Sequence, residues 1–120
     1  MGDMRLGAVE TRFAQIIWEN APLSTGALVK LAQERLSWKR TTTYTVLKRL
    51  CEKGLFRTEN SVVEVLVDRE EFYARQSSEF VQESFGGSLP AFLAAFTRGK
   101  KLDDQELDEL QKLIDSHRRG

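Results

Sequence analysis

The stretch "SWKRTTTYTVLKRLCEKG", Ser37 to Gly54, reads as a short amphipathic helix of unusual composition. It opens with two cations, then places three threonines and a tyrosine where a surface helix normally carries Glu and Lys. Threonine is a mediocre helix former, because its branched Cβ loses χ1 freedom against the preceding turn. A run of it gives up local stability for either packing or recognition. A helix starting near Lys39 or Arg40 and running to Lys53, with Gly54 as its stop, separates the two. Thr43, Val46, Leu47 and Leu50 recur at i, i+3, i+4 and i+7 and form its apolar face. At about 100° per residue, the opposite face is Thr41, Tyr44, Thr45, Lys48 and Glu52.

Upstream, Val9, Phe13, Ile16 and Ile17 recur at helical spacing beside Trp18, which predicts a first helix ending near Asn20. "APLS" breaks it, and Ser24 is a good N-cap for a second helix to about Arg35, with Leu28, Leu31 and Ala32 inward. Downstream, "LFRTENSVVEVLV" holds two β-branched runs separated by Asn60-Ser61, the pattern of a tight hairpin. Three helices followed by a hairpin is the order of a winged helix, with the hairpin as the wing.

Beyond the wing the pattern is entirely helical. Asp68 with Glu71 opens a fourth helix that runs to about Phe85 and ends at Gly86-Gly87. Ser88 and Pro90 open a fifth, with Leu89, Phe92, Leu93 and Phe96 on one face and Gly99 closing it. Asp103 with Glu106 caps a sixth, with Leu107, Leu110, Leu113 and Ile114 on its apolar side. The expected fold class is therefore mainly α with a small β-hairpin. Residues 1–67 form an N-terminal winged helix-turn-helix, and residues 68–120 a helical dimerisation domain. Short helices cannot cover Phe80, Phe85, Leu89, Phe92, Leu93, Phe96, Leu107, Leu110 and Ile114 against one another, so a second copy is the expected cover. An intramolecular three-helix subdomain is the competing arrangement.

Charge is balanced overall, with 18 Lys and Arg against 18 Asp and Glu in 120 residues, but it is not evenly spread. Residues 1–57 hold ten Lys and Arg against five Asp and Glu, whereas residues 58–120 hold eight against thirteen. A basic half and an acidic half suit different partners. The N-terminal "MGDMRLGAVETRF" lacks the apolar core of a signal peptide, and no apolar run approaches the roughly 20 residues that span a bilayer. A cytoplasmic protein without membrane insertion is expected. One cysteine and one histidine exclude a disulfide framework and a Cys/His zinc site, so no metal or cofactor is expected.

In a helix-turn-helix the second helix enters the major groove by its N-terminal residues. Side chains there must be short enough for the backbone to approach the base edges. Threonine offers a hydroxyl for a base edge or phosphate and a methyl for thymine; Tyr44 does both at longer reach. Lys39 and Arg40 at the helix entrance suit a phosphate or a guanine edge, and Lys48, Arg49 and Lys53 suit the strand backbone. A helix that reads double-stranded DNA through Thr41, Tyr44 and Thr45 accounts for the composition, while Thr43 belongs to the core.

"VETRFAQIIW", "SWKRTTTYTVLKRLCEKG" and "FGGSLPAFLAAFTRGKKLDDQELDELQKLID" resemble, in order and spacing, the penicillinase-repressor family of transcriptional regulators. This group includes the methicillin-resistance and copper-responsive repressors. The likeness runs from about Leu6 to Ile114. It implies a winged-helix DNA-binding domain and a helical dimerisation domain that together bind a dyad-symmetric operator and block transcription. Trp38 to Arg49 matches the recognition-helix motif, and Thr42 and Thr45 match its recurrent threonines. In the β-lactam branch a membrane sensor protease pathway leads to cleavage at an Asn-Phe bond in the fifth helix. The matching bond here is Ala95-Phe96, without the Asn. The copper branch carries C-terminal Cys-x-Cys motifs, and "LQKLIDSHRRG" has none. The wing tip, Glu59-Asn60-Ser61, is short and acidic, which leaves Arg57 alone to grip the flanking backbone.

Two other functions fit less of the sequence. A winged helix used as a protein-interaction module would favour Trp, Tyr and Arg over threonine on its exposed face. A ligand-gated regulator would hold an apolar inducer among Phe80, Phe85, Phe92 and Phe96. An enzyme lacks parts: Cys51 and His117 lie far apart in sequence, and there is no glycine-rich phosphate loop. Cys51 reads as a small hydrophobe, His117 as a complement to a helix dipole, and Trp18 and Trp38 as core.

Overall fold

The structure, a computed structural model, describes residues 5–120; residues 1–4, the start of the expected DNA-binding domain, lie outside it. The elements run α1 (Ala8–Asn20), β1 (Leu23–Ser24), α2 (Thr25–Leu36), α3 (Arg40–Glu52), β2 (Phe56–Glu59), β3 (Val62–Val65), α4 (Arg69–Phe85), α5 (Leu89–Arg98) and α6 (Asp104–Arg119). The chain divides into two compact units, the first ending at Ser78 and the second covering Glu79–Gly120. It is mainly α with a small antiparallel sheet, a winged helix followed by helices.

The first unit is built on Phe13, Ile17, Leu28, Thr43, Leu50, Leu55, Phe56, Val63 and Phe72, all fully buried. Val9, expected inward, lies in the first turn of α1 and is 51% exposed. Ser24 Oγ accepts the Ala27 N–H at 3.0 Å and caps α2 as its sequence position predicts. Between α2 and α3 the turn is made by Ser37, in the left-handed region at φ 58°. The Ser37 and Trp38 N–H groups close on the Gln33 and Ala32 carbonyls, and the Trp38 ring packs 4.9 Å from Phe13.

Gly54 ends α3 with φ +85°. The Gly54 N–H donates to Cys51 O at 3.0 Å and the Leu55 N–H to Leu50 O at 3.2 Å. This is a Schellman motif, in which the buried Leu50 and Leu55 flank the turn. It sends the chain directly into β2.

The hairpin turns on Asn60 and Ser61, both at positive φ (53° and 59°), the backbone of a two-residue primed turn. The sheet has one strand more than a hairpin, in the order β1-β3-β2, because Leu23 and Ser24 pair with Val63 and Val62. Two residues are too few for alternation to be visible in a sequence.

Trp18 ties the unit together. Its indole N–H donates to Val67 O at 3.0 Å, and its ring lies 5.6 Å from Phe56 and 5.3 Å from Phe72. Phe72 is on α4, so the compact unit extends past the expected division at 67/68 and includes the first turns of that helix.

The second unit is different in kind. Ser88 Oγ caps α5 by accepting the Ala91 N–H, and Asp103 with Glu106 forms a reciprocal capping box on α6. Phe80, Phe85 and Phe92 form a triangle of edge-on rings with centroids 5.5 to 5.9 Å apart, and Phe96 lies 6.0 Å from Phe92. No side chain of α5 or α6 is buried.

Phe72→Ala is expected to destabilise the first unit by about 3 to 5 kcal/mol, read from the urea midpoint; a loss within about 0.5 kcal/mol would show that α4 adds nothing to the winged-helix core.

Candidate nucleic-acid interface

The face opposite the α3 seam is a continuous set of exposed side chains: Thr41, Thr42, Tyr44, Thr45, Lys48 and Arg49. Thr43, Val46, Leu47 and Leu50 point inward. The Thr43 hydroxyl, 1% exposed, donates to Lys39 O at 3.2 Å, so this threonine is a packing residue with its polar atom satisfied.

The start of α3 is arranged against ordinary helix stability. Lys39 is the N-cap and makes no capping hydrogen bond, and the first turn carries no acidic residue. Its neighbour Arg40 adds a second cation where the helix dipole is positive. By contrast α2, α5 and α6 carry a Ser or Asp there that closes on the backbone, and α1, whose N-cap is Gly7 without a side-chain cap bond, has the acidic Glu10 in its first turn. Open N–H groups with two cations form an attractive end for an anion.

Arg40 lies over the Tyr44 ring, 5.7 Å from its centroid, which holds both side chains along the exposed face. A hydrogen bond from Thr25 on α2, with Arg40 adding to it, pulls the Tyr44 phenol below its ordinary range. The Thr45 hydroxyl donates to Thr41 O at 2.9 Å. Its proton is committed to the backbone, so Thr45 presents lone pairs and a methyl group outward. Thr41 and Thr42 are exposed at the first turn of α3.

Two of the expected DNA-contact cations are engaged inside the chain. Arg49 Nη1 lies 3.3 Å from Glu10 Oε2 on α1. Arg57, on β2, bonds Glu64 directly across the hairpin and lies 3.6 Å from Glu59. Glu64, by hydrogen bond and charge, with Glu59 adding to it, raises the Arg57 pKa above its already high value. The wing face thus carries one cation against two carboxylates. Lys53 donates to Arg5 O at 2.6 Å.

Glu10 and Thr25 were not visible as site residues, since nothing local links positions 39 or 19 apart. The Arg57–Glu64 pairing was accessible: a two-residue turn at Asn60-Ser61 sets the register that places them opposite.

In the second unit, Phe80, Leu89, Phe96, Leu107 and Ile114 are exposed, while Phe85, Phe92, Leu93 and Leu110 are half-buried. Phe92, Leu93, Phe96, Leu102, Leu110 and Leu113 line an open apolar groove of about 390 Å³ with Glu106 and Glu109 at its edge. Ala95 and Phe96 lie within α5, both exposed. Among the described residues no group of three His, Cys, Asp or Glu side chains is placed to hold a metal ion, and no helix is long and apolar enough to cross a membrane.

Three helices with a hairpin wing and a third helix, α3, whose outward face is Thr-rich define a winged-helix protein of the DNA-binding class. The chain belongs to the penicillinase repressor family, whose family model matches residues 6–116. That is a family of DNA-binding transcriptional repressors rather than enzymes. Comparison with curated proteins found no match.

Proposed function

We propose that this protein is a homodimeric, sequence-specific repressor that reads a dyad-symmetric operator with α3. Residues 1–67 supply the DNA contacts and residues 68–120 the dimerisation. The observation that carries this reading is the α3 face, where Thr41, Thr42, Tyr44 and Thr45 stand outward behind an uncapped, doubly cationic helix start. Lys39, Arg40 and Lys48 take phosphates and set the register; the threonines meet base edges. With its proton committed to Thr41, Thr45 suits the exocyclic amine of adenine or cytosine, or the thymine methyl. Arg49 and Arg57 reach the backbone only by leaving their carboxylates.

Dimerisation is supported by the second unit's lack of a core. Phe80 of the phenylalanine cluster is 49% exposed, Leu89 on α5 56% and Ile114 on α6 47%, and apolar surface of this kind is stable in water when covered. A second copy supplies the same surface through a two-fold axis, joining Phe85, Phe92, Leu93, Phe96, Leu107 and Leu110 to theirs. Two α3 helices one DNA turn apart, about 34–36 Å, then match the two halves of the operator. Cutting Ala95-Phe96 separates Leu89, Phe92 and Leu93 from Phe96 and α6, which opens the dimer; a membrane sensor protease pathway is the partner for that step. The protein acts in the cytoplasm, where the operator is.

Fluorescence anisotropy against the DNA upstream of its own gene and a shuffled duplex tests the reader. Thr45→Ala is expected to weaken specific binding by about 1 to 3 kcal/mol and leave shuffled DNA unchanged. Equal losses on both duplexes would remove Thr45 from base readout. Lys48→Ala is expected to lower affinity for every sequence and to shallow the salt slope by about 0.9 per protomer. Sedimentation at micromolar concentration is expected to give a dimer that Phe96→Glu converts to monomer; a monomeric wild type overturns the two-fold reading.

A further inference from the structure

The positive charge around α3 is divided into two groups. Among the described residues, Lys39 and Lys48 have no carboxylate partner, and Arg40 lies on the Tyr44 ring. Arg49 and Arg57 each face carboxylates instead. Glu10 is held in position for this: its Oε1 accepts the Gly7 N–H at 3.3 Å while Oε2 meets Arg49, and its side chain is only 22% exposed. Glu64 is set opposite Arg57 by the hairpin register, and Glu59 joins from the same strand.

A paired arginine presents little net charge to a polyanion, and the wing, with two carboxylates to one guanidinium, presents a negative one. Exposed ion pairs are weak in isolation. Transferring the arginine to a phosphate, however, leaves its carboxylate beside the DNA backbone, and that repulsion opposes the exchange.

Resting on the reading of α3 as a DNA reader, we propose that Glu10, and Glu59 with Glu64, act as internal phosphate mimics. They keep Arg49 and Arg57 off the DNA backbone and so lower sequence-independent affinity. Binding then depends on Lys39, Arg40, Lys48 and the base contacts of α3.

The test is the salt dependence of binding to a random-sequence duplex. Glu10→Gln is suitable because glutamine also serves at the third position of a helix-capping box, so the start of α1 is retained. In this variant the freed Arg49 is expected to steepen the slope of log K against log salt by about 0.9 per protomer. Arg49→Ala alone is expected to leave the wild-type slope unchanged, and the Glu10→Gln/Arg49→Ala double variant to return to it. Glu59→Gln/Glu64→Gln against Arg57→Ala is the same cycle on the wing.

An unchanged slope in Glu10→Gln together with a shallower one in Arg49→Ala overturns the proposal, since Arg49 then already contacts phosphate. A steeper slope that survives in the double variant also overturns it, because the carboxylate then acts by repulsion alone. Lys48→Ala separates this failure from failure of the underlying reading: it shallows the slope if α3 reads DNA, whatever Glu10 does. Loss of that effect overturns both.

Discussion

The burial of one seam, Thr43, Val46, Leu47 and Leu50, is the constraint on which the molecule depends. These side chains lie against the core that α1 and α2 supply, and a helix with one face so committed has no freedom to rotate. A register shift by one residue would turn the seam by about 100° and expose Leu50 or Leu47. The outward direction of Thr41, Tyr44, Thr45 and Lys48 is therefore a consequence of packing. Because packing holds the helix, its exposed face is released from helix-forming duty and can carry poor formers and an uncapped, cationic start.

The ends of α3 are secured just as firmly. Ser37, in the left-handed region, redirects the chain from α2, and Trp38 packs on Phe13 at the entrance. At the exit the Gly54 turn drives Leu55 and Phe56 into the same core and launches the wing. Trp18 then joins the base of the wing to α4 through Val67 and Phe72. The first unit, with its buried core, contrasts with Glu79–Gly120, where well-capped helices carry apolar faces that the unit covers only in part. Local helix signals together with exposed apolar faces are what the proposed dimerisation rests on.

Much of this architecture was legible in the chain because its signals are local. The buried set of α3 follows from a 3.6-residue period, the stop from Gly54, and the hairpin from Asn60-Ser61 between β-branched runs. The N-caps at Ser24, Ser88 and Asp103 were readable for the same reason. Thr43 could be assigned to the core while its neighbours were assigned outward, since only direction distinguishes them. Membership of the penicillinase repressor family agrees with that reading over residues 6–116.

What the sequence by itself determined was the order and type of the six helices and the hairpin, the inward seam of α3, and the excess of cations in the first half. Tertiary structure alone decided which of those cations are available. Arg49 meets Glu10 from 39 positions away, and Lys53 meets the Arg5 carbonyl from 48. It also decided that Leu23 and Ser24 join the sheet and that Phe72 belongs to the winged-helix core. The physical reason is range: periodicity and capping act over a few residues of backbone, whereas ion pairing and burial depend on which distant surfaces the fold brings together.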